Sequence, residues 1–178
     1  MTSFIPLARA FADLRVRYVL IGVAGANMHA HAGGVVFTTQ DRDLLLPPNP
    51  ENLVLAWQAC EACGLELLAS GQPLDGPRDL WLAERVVWRS ALTKAVGAEG
   101  LHVDLTLVMA GFTFDEVWRE QVTFDLDGVA VPVARLMHIV TSKAAVGRPK
   151  DHLFLATHAD ALKQLLGPDD AGTAPREP

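Results

Sequence analysis

Cysteine is scarce in this chain. Cys60 and Cys63 are its two cysteines, too few for a four-thiolate zinc site or a disulfide framework. Both fall in a helix expected over 50–64, where a spacing of three gives one helix face, and they read as buried, reduced thiols of a cytosolic protein. Long apolar runs are also missing. The most apolar stretch, 18–37, is broken by Asn27, His29, His31 and four glycines, which argues against a membrane span. Arg9, Asp13, Arg15 and Arg17 interrupt any secretory-signal core, so the expectation is a soluble cytoplasmic protein. Basic residues are outnumbered by acidic ones, 15 to 21, for a net charge of -6. That balance excludes a broad duplex-binding surface and leaves room for small acidic pockets that recruit metal. There is no internal repeat. The 178 residues suit one domain, expected over 1–168, with a polar, Pro-rich tail over 169–178 expected to be disordered.

What the chain does have is Asp41-Arg42-Asp43 followed by Leu44-Leu45-Leu46 and Pro47-Pro48. The leucines read as a buried strand stopped by prolines, and strand alternation puts Asp41 and Asp43 on one face. Neighbouring carboxylates repel and are costly to desolvate, so such a pair is suited to a hard divalent cation such as Mg2+. An exposed acidic edge at a strand start is the other reading of the pair.

Residues 4–14 place Leu7, Ala10, Phe11 and Leu14 at helical spacing, predicting an amphipathic first helix. A short strand follows over 18–22, then the turn Gly22-Val23-Ala24-Gly25-Ala26-Asn27 and a short helix over 24–32 ended by Gly33-Gly34. Small residues after a strand let a backbone approach phosphate at a helix N-terminus, or else serve tight packing. Asn49, Pro50 and Glu51 open the helix that closes at Gly64. A strand is expected over 65–68 and a loop over 70–78. Residues 79–96 fit either one amphipathic helix or a helix and then a strand.

The run 101–108 alternates cleanly: Leu101, Val103, Leu105 and Leu107 take one face, His102, Asp104 and Thr106 the other. Beside the Asp41 strand, Asp104 would join the two earlier acids. A capped helix at 113–118 and a hairpin over 122–133 turning at Asp127-Gly128 follow. One helix spans 136–146, and another opens at Pro149 and stops at Gly167-Pro168.

This order of parts resembles the small nucleotidyltransferases of the DNA polymerase β superfamily, in particular their minimal and abortive-infection-toxin-like branches. The residues that carry the resemblance are the strand and small-residue turn at 18–26, Asp41-Arg42-Asp43, Val103-Asp104-Leu105, and the stretch from Gly111 to Trp118. Lys143 followed by Gly147-Arg148-Pro149-Lys150-Asp151 completes the set. The resemblance implies an α/β (or α+β) fold with a small mixed sheet. It also implies Mg2+-dependent transfer of a nucleoside monophosphate from a nucleoside triphosphate to an acceptor hydroxyl on a small molecule, an RNA end or a protein. On that reading Asp41, Asp43 and Asp104 are the catalytic and metal-binding acids. Gly22 and Val23 lie against phosphate, and Lys143, Arg148 and Lys150 offset its charge, although each of the three could equally cap a solvated helix end.

Four features differ from the family pattern: Val23 replaces a small residue, Arg42 an apolar one, and Phe37 a frequent arginine, while 32–35 looks like an insertion. Val23, Phe37 and Arg42 suit an alternative, a catalytically degenerate nucleotidyltransferase-fold protein acting as a binding or toxin-antitoxin-type partner module. A dinucleotide-binding turn at Gly22 fits less well, because Ala24 and Asn27 stand where it needs glycines. His29 and His31 diverge on a helix, which argues against an amidohydrolase-type metal pair. His102 draws attention by sharing a face with Asp104, whereas His138, His152 and His158 read as structural or solvated.

Overall fold

Short apolar runs bounded by glycine and proline build one mixed sheet in the computed structural model, which describes residues 4–30, 36, 37, 39, 41–97 and 100–170. Its strands are β1 (Val19–Ile21), β2 (Asp41–Leu45), β3 (Glu66–Ala69), β4 (Gln72–Pro73), β5 (Thr93–Val96), β6 (His102–Thr106), β7 (Val122–Leu126) and β8 (Val129–Val133). They lie in the order β4-β3-β5-β6-β2-β1-β8-β7. The helices are α1 (Ile5–Asp13), α2 (Gly22–Ala30), α3 (Pro50–Ala62), α4 (Leu80–Trp88), α5 (Phe114–Arg119), α6 (Leu136–Val146), α7 (Pro149–Thr157) and α8 (Ala159–Asp170). The architecture is the α/β arrangement expected, a mixed sheet flanked by helices.

Strand β2 is central, antiparallel to β1 and parallel to β6. Its leucines alternate between two cores. Leu44 and Leu46 pack with Leu7 and Phe11 of α1 and Leu53 and Trp57 of α3. Leu45 joins Val19, Ile21, Ala26 of α2 and Ile139 of α6. An unbroken leucine run is what a strand covered on both faces requires. Across the first core, the Trp57 indole Nε1 donates to the buried Thr93 Oγ1 at 3.2 Å, tying α3 to β5.

Local signals act where expected. Asn49 Oδ1 accepts from the Asn52 amide at 2.7 Å, with Pro50 and Glu51 in the first turn of α3. Thr113 and Glu116 form a reciprocal capping box on α5, and the β7–β8 hairpin turns at Asp127 and Gly128, at φ 51° and 79°. Cys60 is buried and Cys63 half-buried, both as free thiols, and burial pushes the Cys60 thiol up to about 12.

Four expectations are corrected or resolved. The run 79–96 is a helix and then a strand, α4 and β5. The loop at 70–78 contains β4, which pairs with β3. The helix after β1 begins at Gly22, directly off the strand, rather than at Ala24. The helix from Pro149 is two helices, parted at His158, where the ring lies edge-on to Phe37 with centroids 4.7 Å apart. That tertiary contact overrides a continuous helical pattern. Gly167 leaves helical geometry as expected of a stop, at φ 66°, ψ 174°. His31, Gly33-Gly34, the 32–35 insertion and tail residues 171–178 lie outside the described residues. Among the described residues no helix is long and apolar enough to cross a membrane.

Candidate active site

Alternation along β2 and β6 carries the site. Asp41 and Asp43 share a face with Leu45, and His102 and Asp104 share one with Thr106, because the parallel register sets Asp41 opposite His102 and Asp43 opposite Asp104. The two strands thus place the Asp43 and Asp104 carboxylates side by side on the α2 and α6 face of the sheet. The same face opens into a cleft of about 270 Å3 lined by Gly22, Asp43, Asp104, Thr106, Lys143 and Arg148 among others, next to the second core, which shares Ile21, Met109 and Ile139 with it.

Asp43 is half-buried. Burial first, and the neighbouring Asp104 second, push its carboxyl above the ordinary carboxylate range, against the opposing pull of Lys143. Gly22 stands directly against it. At φ 65° this residue turns β1 into α2, and a Cβ there would overlap Asp43 Oδ2 and lie 2.9 Å from its Cγ. Only glycine combines that backbone conformation with so close an approach. The N-terminus of α2, with its amides and positive dipole end, is therefore at the cleft.

Lys143 and Arg148, expected to offset phosphate charge, both line the cleft. They are also held from behind by Asp151, which is fully buried. Lys143 Nζ lies 2.9 Å from Asp151 Oδ1, and Arg148 Nε donates to Oδ2 at 2.7 Å. Burial of Asp151 works against ionisation, but the Arg148 and Lys143 hydrogen bonds overcome it and hold its carboxyl below the ordinary range. One buried acid thus fixes two cations.

Not every expected residue reaches the centre. Asp41 is exposed on the rim, opposite exposed His102. Lys150 is exposed and does not line the cleft, although its charge still acts on Asp43. The Val23 side chain packs against the second core instead of the cleft. Arg42, on the alternate face of β2, is half-buried and donates Nη1 to the Asp41 carbonyl at 3.2 Å. Phe37 is a core residue whose backbone amide and carbonyl are clamped by the Asn27 side chain at 2.6 and 2.7 Å. His29 Nε2 donates to the Ala134 carbonyl, 2.8 Å away, and burial lowers its pKa.

One group escaped sequence reasoning. Lys94 of β5 stands opposite Asp104 in the antiparallel register, with its ammonium 2.9 Å from Asp104 Oδ1 and 3.2 Å from Oδ2. The hydrogen bond to Asp104 raises the Lys94 pKa. In β5 exposed Lys94 stands between buried Thr93 and Ala95, an alternation that the ambiguity of 79–96 between helix and strand conceals in the sequence.

The donor set can be weighed for a cation. Among the described residues no group of three His, Cys, Asp or Glu side chains gathers closely enough to hold a metal ion. The paired carboxylates of Asp43 and Asp104 are hard oxygen donors, and Mg2+ commonly takes one or two carboxylates, completing its shell with water and substrate phosphate.

Neither a family model nor a curated protein matches the sequence. Two solved structures share the fold. One is the crystal structure of a candidate nucleotidyltransferase from Thermotoga maritima, at TM-score 0.55 and 11% identity, covering 90% of this chain and 92% of that one. The other is the solution structure of the antibiotic-resistance factor ANT(2'')-Ia, at TM-score 0.53 and 15% identity, covering 92% of this chain and 87% of that one. At such identities the likeness is one of fold.

Proposed function

We propose that this chain is a Mg2+-dependent nucleotidyltransferase that moves a nucleoside monophosphate from a nucleoside triphosphate to an acceptor hydroxyl. The observation that carries this reading is the register of Asp43 against Asp104 at a cleft also lined by Gly22, Lys143 and Arg148. Asp43 and Asp104 would hold the ion, with Asp41 adding negative charge from the rim. Mg2+, when bound, neutralises charge on the phosphates and keeps nucleophile and leaving group in line.

The chain's own residues supply the rest. The amides at the start of α2 would face the triphosphate, with Gly22 giving the Asp43 carboxylate room to stand at that helix end. Lys143 and Arg148, kept in place by Asp151, balance charge on the departing pyrophosphate. The acceptor oxygen forms its bond to the α-phosphorus as the bridging bond to pyrophosphate breaks. The hydroxyl proton leaves towards the Asp104 carboxylate. Small molecule, RNA end and protein hydroxyl all remain candidate acceptors.

A second reading is favoured by the Lys94–Asp104 ion pair, which already neutralises one of the two acids. A fold-retaining module that binds a nucleotide or a protein partner without turnover would keep such a pair permanently. Calorimetric titration of nucleoside triphosphates with and without Mg2+ separates the two readings. Binding that requires Mg2+ and is lost in an Asp41→Asn, Asp43→Asn double variant supports transfer. Absence of binding to the wild type rejects it and directs the search to protein partners.

A further inference from the structure

We propose that Lys94 is an internal counter-ion that occupies Asp104 in place of a divalent cation and has to be displaced before that cation is held, an inference that rests on the nucleotidyl-transfer reading. Lys94 reaches both carboxylate oxygens of Asp104, at 2.9 and 3.2 Å. Those are the atoms a cation shared with Asp43 would use. Strand alternation leaves Lys94 on the cleft face while Thr93 and Ala95 on either side are buried.

The pair is also easy to exchange. The Lys94 side chain is 46% exposed and that of Asp104 18%, and ion pairs this open to water are weakly held and carry an entropic cost for the long lysine chain. A divalent ion brings twice the charge to the same oxygens. Alone, however, it leaves the displaced ammonium to water and to the weaker pull of Asp41 and Asp43. When the ion arrives with a triphosphate, the displaced ammonium gains phosphate oxygens as new partners, which couples metal binding to nucleotide binding. Lys94 thereby sets a threshold at which the site ignores free cation and accepts the cation–nucleotide complex.

A cross-strand lysine that merely stabilises the sheet would affect none of this, and metal binding tells the two roles apart. Binding of Mn2+ alone is followed by paramagnetic resonance for the wild type and for Lys94→Met and Lys94→Gln, each checked for native melting. Both variants are expected to bind Mn2+ about two- to fivefold more tightly, the scale of removing one partly exposed competing ion pair. Adding Asp104→Asn should abolish the gain. The enhancement of Mn2+ affinity by a non-hydrolysable triphosphate, present in the wild type, should shrink in the variants.

Folded variants that bind Mn2+ no better than wild type overturn the proposal, as does a gain that survives Asp104→Asn. Tighter Mn2+ binding without Mg2+-dependent nucleotide binding in any form upholds the counter-ion and rejects nucleotidyl transfer. Unchanged Mn2+ binding alongside Mg2+-dependent nucleotide binding does the reverse.

Discussion

Gly22 and Asp43 are packed so closely that a methyl group on the first would overlap the carboxylate of the second. Gly22→Ala removes no charge, yet the left-handed backbone alone should cost about 1–2 kcal/mol, and Asp43 must move as well. Urea unfolding should show the loss, and Mg2+-dependent triphosphate binding should disappear with it. A variant of native stability that still binds nucleotide would show that the close approach is unimportant.

The Asp43 carboxyl is raised by burial and then by Asp104. A raised acid favours protonation in the fold, so the contribution of Asp43 to stability is fully present below the ordinary carboxylate range and should fall as pH rises through the raised value. Asp43→Asn removes the repulsion and is expected to stabilise the fold by about 1 kcal/mol at neutral pH, a common gain when a functional strain is relieved. The same variant should lose Mg2+-dependent nucleotide binding. The difference between wild-type and variant thermal melts across pH 3 to 8 isolates the Asp43 contribution, and a variant destabilised at neutral pH would contradict it.

Asp151 behaves in the opposite sense. Its carboxyl is held low by Arg148 and Lys143 in spite of burial, so it contributes stability above the ordinary carboxylate range that is lost as pH falls below it. Asp151→Asn leaves Lys143 without its buried counter-charge and should cost roughly 3 kcal/mol at pH 7. The gap between wild type and variant should narrow on acidification below about pH 4. A gap independent of pH would mean that packing, not charge, is what the variant loses.

Asn27 reads in the sequence as a turn residue but makes two short hydrogen bonds to the backbone of buried Phe37. Asn27→Leu strands both backbone groups and should cost about 2 kcal/mol. Chemical denaturation measures it. A near-neutral result would show that water takes over these contacts.

The face shared by Asp41 and Asp43, and its counterpart around Asp104, could be read from alternation alone, since a strand fixes side-chain direction at every second residue. The register between the two strands could not, because nothing local encodes which strands become neighbours. Lys94 was hidden in a stretch whose Val86-Val87-Trp88 core suits helix and strand alike. Asp151 was recognised as part of a motif. Its burial and its hold on Lys143 and Arg148 depend on how α6 packs against α7, although the spacing of Arg148 and Asp151 on a helix hinted at a pair. The break at His158 comes from Phe37, far away in the chain.

The sheet order also bears on how the molecule comes into being. Lys94 and Asp104 lie ten residues apart on β5 and β6, strands joined by a short connection, whereas β2 meets β6 only after α3, β3, β4, α4 and β5 have been threaded between them. Nearby segments close with less loss of chain entropy and pair sooner. Asp104 would accordingly have its lysine before Asp43 arrives, so the last long-range strand docks against a neutralised neighbour and not a bare negative charge. Substitution of Lys94 should then slow refolding, whereas Asp43→Asn should act mainly on the unfolding rate.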